Sequence, residues 1–197
     1  AARLHDTPAT RDVEDRLPPV VADFARRAGA APGAGLRVAT FAQDGELRLK
    51  QGGRFAPTVA WQVVALGRAG FLWDARQSYG PVQTLRVIDA LVGAEGVLEA
   101  RLFGSLPVAR LSGRDLTLGE AFRYLAELPW APDAILGNPD LVWRVTGPDR
   151  VEVRLATQGG TARVTFTFDE AGDIVAMEAK DRPARDGKGG MVRLDWR

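Results

Sequence analysis

The chain is predicted to be a mainly β, α+β domain, a large antiparallel meander curved into a half-barrel, with an N-terminal helix and a central helix packed on its concave face. Three observations lead there. Apolar positions recur with a period of two through most of the 197 residues. Short turns rich in Gly, Asp and Pro separate the alternating runs, leaving no room for the helical crossovers that parallel strands need. Only two stretches carry a clear helical period.

Residues Ala1 to Arg16 mix charges with Thr7 and Pro8 and have no period. Residues 1–16 are therefore expected to form a flexible tail, and residues 17–197 a single domain. Pro18 and Pro19 suit a first helical turn, where a missing N–H costs nothing. Val20, Val21, Phe24, Ala25 and Ala28 then make one apolar stripe, and Gly29 follows as the C-terminal cap. Six strands are expected next: Leu36 to Gln43, Glu46 to Gln51, Thr58 to Leu66, Phe71 to Tyr79, Val82 to Val92 and Val97 to Phe103. Asp44-Gly45 reads as the hairpin turn between the first two. The central helix is expected from Thr117, because Thr117 and Glu120 have capping-box spacing. Leu118, Phe122 and Leu125 give it an apolar face, and Pro129 ends it, with one further turn expected over Pro132 to Leu136. Strands resume over Leu141 to Thr146, Arg150 to Thr157, Thr161 to Phe168 and Asp173 to Lys180. A charged loop from Asp181 to Gly190 leads to a closing strand, Met191 to Arg197.

Composition excludes several chemistries. Lys and Arg total 26 against 25 Asp and Glu, for a net charge of +1, so no basic surface is on offer to nucleic acid. The chain has no cysteine, which removes disulfides, thiolate nucleophiles and cysteine-held metals. Its one histidine, His5, lies in the expected tail, so a Ser-His-Asp triad is out unless the tail folds back, and a two-histidine metal site is out as well. Gly33-Ala34-Gly35 leads into a strand, the wrong order for a dinucleotide fold. Gly187-Lys188-Gly189-Gly190 lacks the hydroxyl that a phosphate loop needs for magnesium. No metal and no cofactor is expected, and no run approaches the roughly 20 apolar residues of a membrane helix. The chain opens at Ala1-Ala2 without a methionine, and an upstream export or membrane-anchor segment is expected to have been removed.

Carboxylates, arginines and aromatics remain. Asp89 shares a strand face with Leu85, Val87 and Leu91. An acid there is costly unless paired, and reads as a ligand anchor, a general acid/base or an ion pair to a nearby arginine. Glu120, Arg123, Tyr124 and Glu127 form the polar face of the central helix, with Arg123 and Glu127 at i,i+4 spacing. Charged helix faces are usually wet, so this face is expected in solvent; turned against the sheet, it would instead offer acid–base chemistry to a cavity. Asp89, Arg123 and Glu127 are the candidate catalytic residues. Trp61, Trp73, Tyr79 and Trp130, with Asp89, Arg123, Tyr124 and Glu127, are the candidate lining of a ligand cavity. The tryptophans read equally as core.

The stretch Arg123-Tyr124-Leu125-Ala126-Glu127-Leu128-Pro129-Trp130, with Pro132 and Ala134, resembles the signature of an uncharacterised bacterial domain family. Gly70-Phe71-Leu72-Trp73, Asp89-Ala90 and the Gly93 to Gly96 spacing are similar to the same pattern, which covers roughly Leu17 to Arg182. That family tends to carry an aromatic after the Asp, where this chain has Ala90. The resemblance implies a domain that follows a membrane segment, hence an extracytoplasmic location. At the level of architecture the expected half-barrel is similar to the bacterial lipoprotein carriers. The resulting expectation is a binding module for a lipid or other apolar ligand. The alternatives are a small hydrolase or isomerase using carboxylate and arginine chemistry in the same cavity, and a partner-binding domain of a membrane-anchored protein.

Overall fold

The computed structural model describes residues 2–31, 33–48, 52–93, 95–185 and 191–196. Among these the helices are α1 (Ala2–His5), α2 (Pro19–Arg27), α3 (Arg114–Ala126) and α4 (Pro132–Gly137). The strands before α3 are β1 (Val38–Leu47), β2 (Ala56–Ala65), β3 (Phe71–Tyr79), β4 (Val82–Val92), β5 (Glu95–Leu102) and β6 (Leu106–Ser112). Those after α4 are β7 (Val142–Val145), β8 (Arg150–Thr157), β9 (Gly160–Phe168), β10 (Ile174–Arg185) and β11 (Met191–Trp196). Strand makes up 51% of the described residues, and every pairing among them is antiparallel, as the period-two pattern requires. The meander is divided: β1 to β6 form one sheet in chain order, and β7 to β11 form a second. No helix among the described residues is long and apolar enough to cross a membrane.

Several elements differ from expectation. Asp44-Gly45 is not a turn. It lies inside β1, where Asp44 pairs with Val59 and Gly45 with Thr58. Ten residues of continuous ladder outweigh a local turn preference at two of them. The expected strand to Gln51 ends at Leu47, and residues 49–51 lie outside the described set. β6 was not anticipated. It is the edge of the first sheet, where Pro107 is tolerated because it owes no ladder hydrogen bond on the open side. The capping box is also absent. α3 begins three residues earlier at Arg114, and Thr117 lies within it, accepting from the Gly96 N–H at 2.9 Å and donating to the Gly113 carbonyl at 3.0 Å. The stretch read as a tail is packed: Leu4 is buried against Val63 and Ala65, and the N–H groups of Arg11 and Val13 bond the carbonyls of Gly137 and Leu136 at 3.0 Å. Five residues of the loop expected from Asp181 belong to β10, and residues 186–190, including Gly187-Lys188-Gly189-Gly190, lie outside the described set.

α3 touches β4, β5 and β6 of the first sheet and β8, β9 and β10 of the second. Its apolar residues Leu118, Phe122 and Leu125 join the buried cluster that holds Val151, Val153, Val164 and Phe166. α2 adds Val21 and Ala25 to that cluster and α4 adds Ile135 and Leu136. Fully burying a side chain of this kind contributes about 1.5–3 kcal/mol, so this core fixes where α3 lies. The polar face of α3 is thereby turned onto the first sheet.

Candidate functional site

One rung crosses all six strands of the first sheet on the side that faces α3: Phe41, Gln62, Trp73, Asp89, Leu98 and Leu111. Three polar or amphipathic members sit in the middle of an otherwise apolar row, opposite the charged face of the helix. The helix can approach because Gly96 lacks a side chain. A Cβ there would meet the Thr117 backbone at 2.7 Å, closer than such atoms come.

The face expected in solvent is turned onto the sheet, with Glu120 and Tyr124 buried and Arg123 and Glu127 partly buried. Arg123 is the hub: its Nη1 donates to Asp89 Oδ2 at 2.5 Å and its Nε to Glu127 Oε1 at 2.8 Å. Glu127 Oε2 accepts from Gln62 Nε2 at 2.6 Å, Gln62 Oε1 from Gln43 Nε2 at 2.9 Å, and Gln43 Oε1 from the Trp73 indole N–H at 2.8 Å. A continuous polar chain thus ties β1, β2, β3 and β4 to α3. The Arg123 guanidinium also lies over the rings of Phe71 and Trp73, at 4.9 and 5.0 Å. Burial disfavours its charge, but the Glu127 and Asp89 carboxylates outweigh that and hold the guanidinium above its ordinary pKa.

Glu120 is different. It is 4% exposed and Asp89 8% exposed, yet Glu120 Oε2 and Asp89 Oδ1 have no hydrogen-bond partner among the described residues. Burial first, then the charge of Asp89, pushes the Glu120 carboxyl up to about 8. At neutral pH the Glu120 carboxyl therefore holds its proton beside the Asp89 carboxylate. Arg182 approaches from β10. Its guanidinium is held below its ordinary pKa by burial, only partly offset by Glu120 and Asp89.

These three side chains border a cavity of about 410 Å³. It lies between the N-terminal half of α3, the β4–β6 end of the first sheet, and residues 182–184 of β10. Leu98, Leu111, Leu116, Pro183 and Ala184 give it apolar walls, and Asp89, Glu120 and Arg182 are charged or protonic. Such a site can hold an apolar body, hydrogen-bond one polar end and exchange a proton with it.

The structure gathers Trp73, Asp89, Arg123 and Glu127 into one network, but of these only Asp89 borders the cavity. Tyr124 is buried nearby and serves the fold. Its hydroxyl donates to the Ala65 carbonyl and accepts from Asn138 Nδ2, each at 3.1 Å, and burial raises its pKa. Trp61, Tyr79 and Trp130 stand apart, 52%, 86% and 57% exposed. Trp61 points away from α3 because the face of β2 turned to the helix is Thr58, Gln62 and Val64, whereas Val59 and Trp61 are on the other. Gln43, Gln62 and Arg182 are not among the expected site residues, and Glu120 enters only through the polar helix face, behind Arg123 and Glu127. Gln62, a polar residue among Val59, Ala60, Trp61, Val63 and Val64, was the available signal. Glu120 was assigned to a cap that does not form.

No curated protein and no solved structure matches the chain. A family model, described as a family of unknown function (DUF6544), matches residues 6–197 and so includes both sheets, α3 and every residue of the buried network. The chain belongs to this family of unknown function.

Proposed function

We propose that the protein is a binding module that holds a small amphiphile, with the apolar body in the cavity between α3 and the first sheet and the polar end at Asp89 and Glu120. The observation that carries this is the cavity of about 410 Å³, walled by Leu98, Leu111, Leu116 and Pro183 around a buried carboxyl pair. That volume is near the lower end of the range of small-molecule pockets, roughly 300–1,000 Å³, so it suits one chain rather than two. The similarity to lipoprotein carriers, and an extracytoplasmic location, belong to the same proposal; cell fractionation tests the location. Native mass spectrometry of the purified chain, with an organic extract analysed in parallel, tests the binding. A bound single-chain amphiphile that is lost in Leu98→Trp, which fills the cavity, is the expected result. Absence of any bound species and of binding to added amphiphiles would overturn the reading.

A second reading rests on a separate observation. Glu120 holds its proton to about 8 beside Asp89, the arrangement of a general acid next to a base. In a hydrolase or isomerase Glu120 would donate to a leaving or carbonyl oxygen, with Asp89 fixed by Arg123. Turnover that is abolished in Glu120→Gln supports it, and turnover unchanged in that variant would refute it.

A further inference from the structure

Glu120 is the side chain that the fold explains least. It sits on a helix face pressed onto a sheet, almost wholly buried, and it has no ion pair and no hydrogen bond to an N–H or O–H among the described residues. Leu, Met or Gln would occupy the position at lower cost. Its neighbours do not answer for it. Arg123 is committed to Asp89 Oδ2 and Glu127 Oε1. In the immediate cluster three carboxyls, those of Asp89, Glu120 and Glu127, face two guanidiniums, those of Arg123 and Arg182, and the Arg182 Nε–H is itself buried without an acceptor. In the free protein Glu120 holds a proton.

The same carboxyl pair borders the cavity, where a ligand can supply that charge in another form. Resting on the amphiphile reading above, we propose that the Asp89–Glu120 pair selects ligands whose polar end is a primary ammonium, which sits against the unpartnered Glu120 Oε2 and Asp89 Oδ1 in place of the proton on Glu120. An ammonium brings three N–H donors to oxygens that lack any. The exchange balances: one R–NH3+ enters, one proton leaves to solvent, and no covalent bond within the ligand changes. The charged groups around Glu120 are Asp89 from β4, Arg123 from its own helix and Arg182 from β10. Arg114 and Asp115 border the cavity as well, and Asp115 is held by Arg193 at 2.9 Å. Arg182 restricts the site to a single positive charge, because a dication would meet it.

Binding is then linked to pH. The amine stays protonated as a lysine does, to about pH 10.4, so the pH dependence comes from the carboxyl pair. The test titrates the 197-residue chain with octylammonium, octanol and octanoate. Amide chemical shifts, and calorimetry in two buffers of different ionisation heat, are recorded between about pH 6 and pH 9. Octylammonium is expected to bind best, with affinity rising about tenfold per pH unit and levelling above about 8. It is expected to release about one proton on binding at neutral pH, and to lose at least about tenfold in Glu120→Gln while octanol still binds. Equal binding of all three heads, without pH dependence, overturns the ammonium proposal and leaves the amphiphile reading standing. No binding of any head overturns both. The head-group and pH comparison on the unsubstituted chain decides between these outcomes without the variant.

Discussion

Replacing Glu120 by Gln should flatten the dependence of stability on pH. In the folded chain the Glu120 carboxyl holds its proton to about 8, against 4.5 for the free side chain, because burial and Asp89 disfavour the charge. Between these values the folded state binds a proton that the unfolded state has released, so stability falls as pH rises. The loss is absent below about pH 4.5, grows by up to about 1.4 kcal/mol per pH unit, and levels above about pH 8. Over that window of roughly 3.5 pH units the whole loss is about 4–5 kcal/mol. That is a large part of the 5–15 kcal/mol typical of a domain. Gln keeps the shape and cannot ionise. Urea unfolding of both chains at several pH values, read as midpoint times m-value, should show the variant gaining on the parent steadily above about pH 5. Parallel profiles would show that Glu120 is not the buried acid described, and would refute its raised pKa.

Removing Arg123 is a sharper insult. Arg123→Met leaves Asp89 and Glu127 buried without their partner and should cost about 3–5 kcal/mol in urea unfolding, and Asp89→Asn with Glu127→Gln in the same chain should restore most of it. Tyr124→Phe strands the Ala65 carbonyl and Asn138 and should cost about 1–3 kcal/mol by the same measurement. Gly96→Val sets a side chain against the Thr117 backbone and should force α3 off β5. A cost of about 1–3 kcal/mol and weakened binding of octylammonium are expected, checked by thermal unfolding and titration.

Most of the strand pattern was legible because period-two alternation survives wherever one face of a strand is wet and the other dry. Val151, Val153 and Leu155, interleaved with Glu152 and Arg154, place β8 to within a residue. Where local and long-range preferences conflict, local reading fails. Asp44-Gly45 has turn chemistry but is carried through β1 by its pairing to β2, and Pro107 conceals β6 because a proline says nothing about which side of an edge strand is open. The six strands expected before α3 equal the six observed only because one false division and one missed strand cancel.

The candidate site was legible in its residue types and not in its direction. Spacing alone brings Arg123 to Glu127 whether the helix face is wet or buried, so the fate of that pair depends on packing that the segment does not encode. The apolar residues at 118, 122 and 125 are what turn the charged face inward, by claiming the core that includes β8 and β9. Asp89 could be picked out because an acid on an apolar strand face is costly anywhere. Arg182 could not, since it stands among charges in a stretch that reads as a loop until β10 is seen to continue through it.

The most direct measurement is an isotope-filtered nuclear Overhauser experiment on the labelled chain with unlabelled octylammonium. Cross-peaks from the octyl methylenes to the methyl groups of Leu98, Leu111 and Leu116, with the carbon next to nitrogen nearest Glu120, are predicted. Cross-peaks confined to Val59 and Trp61 on the far side of the sheet, or none to any of the cavity leucines, would contradict the account.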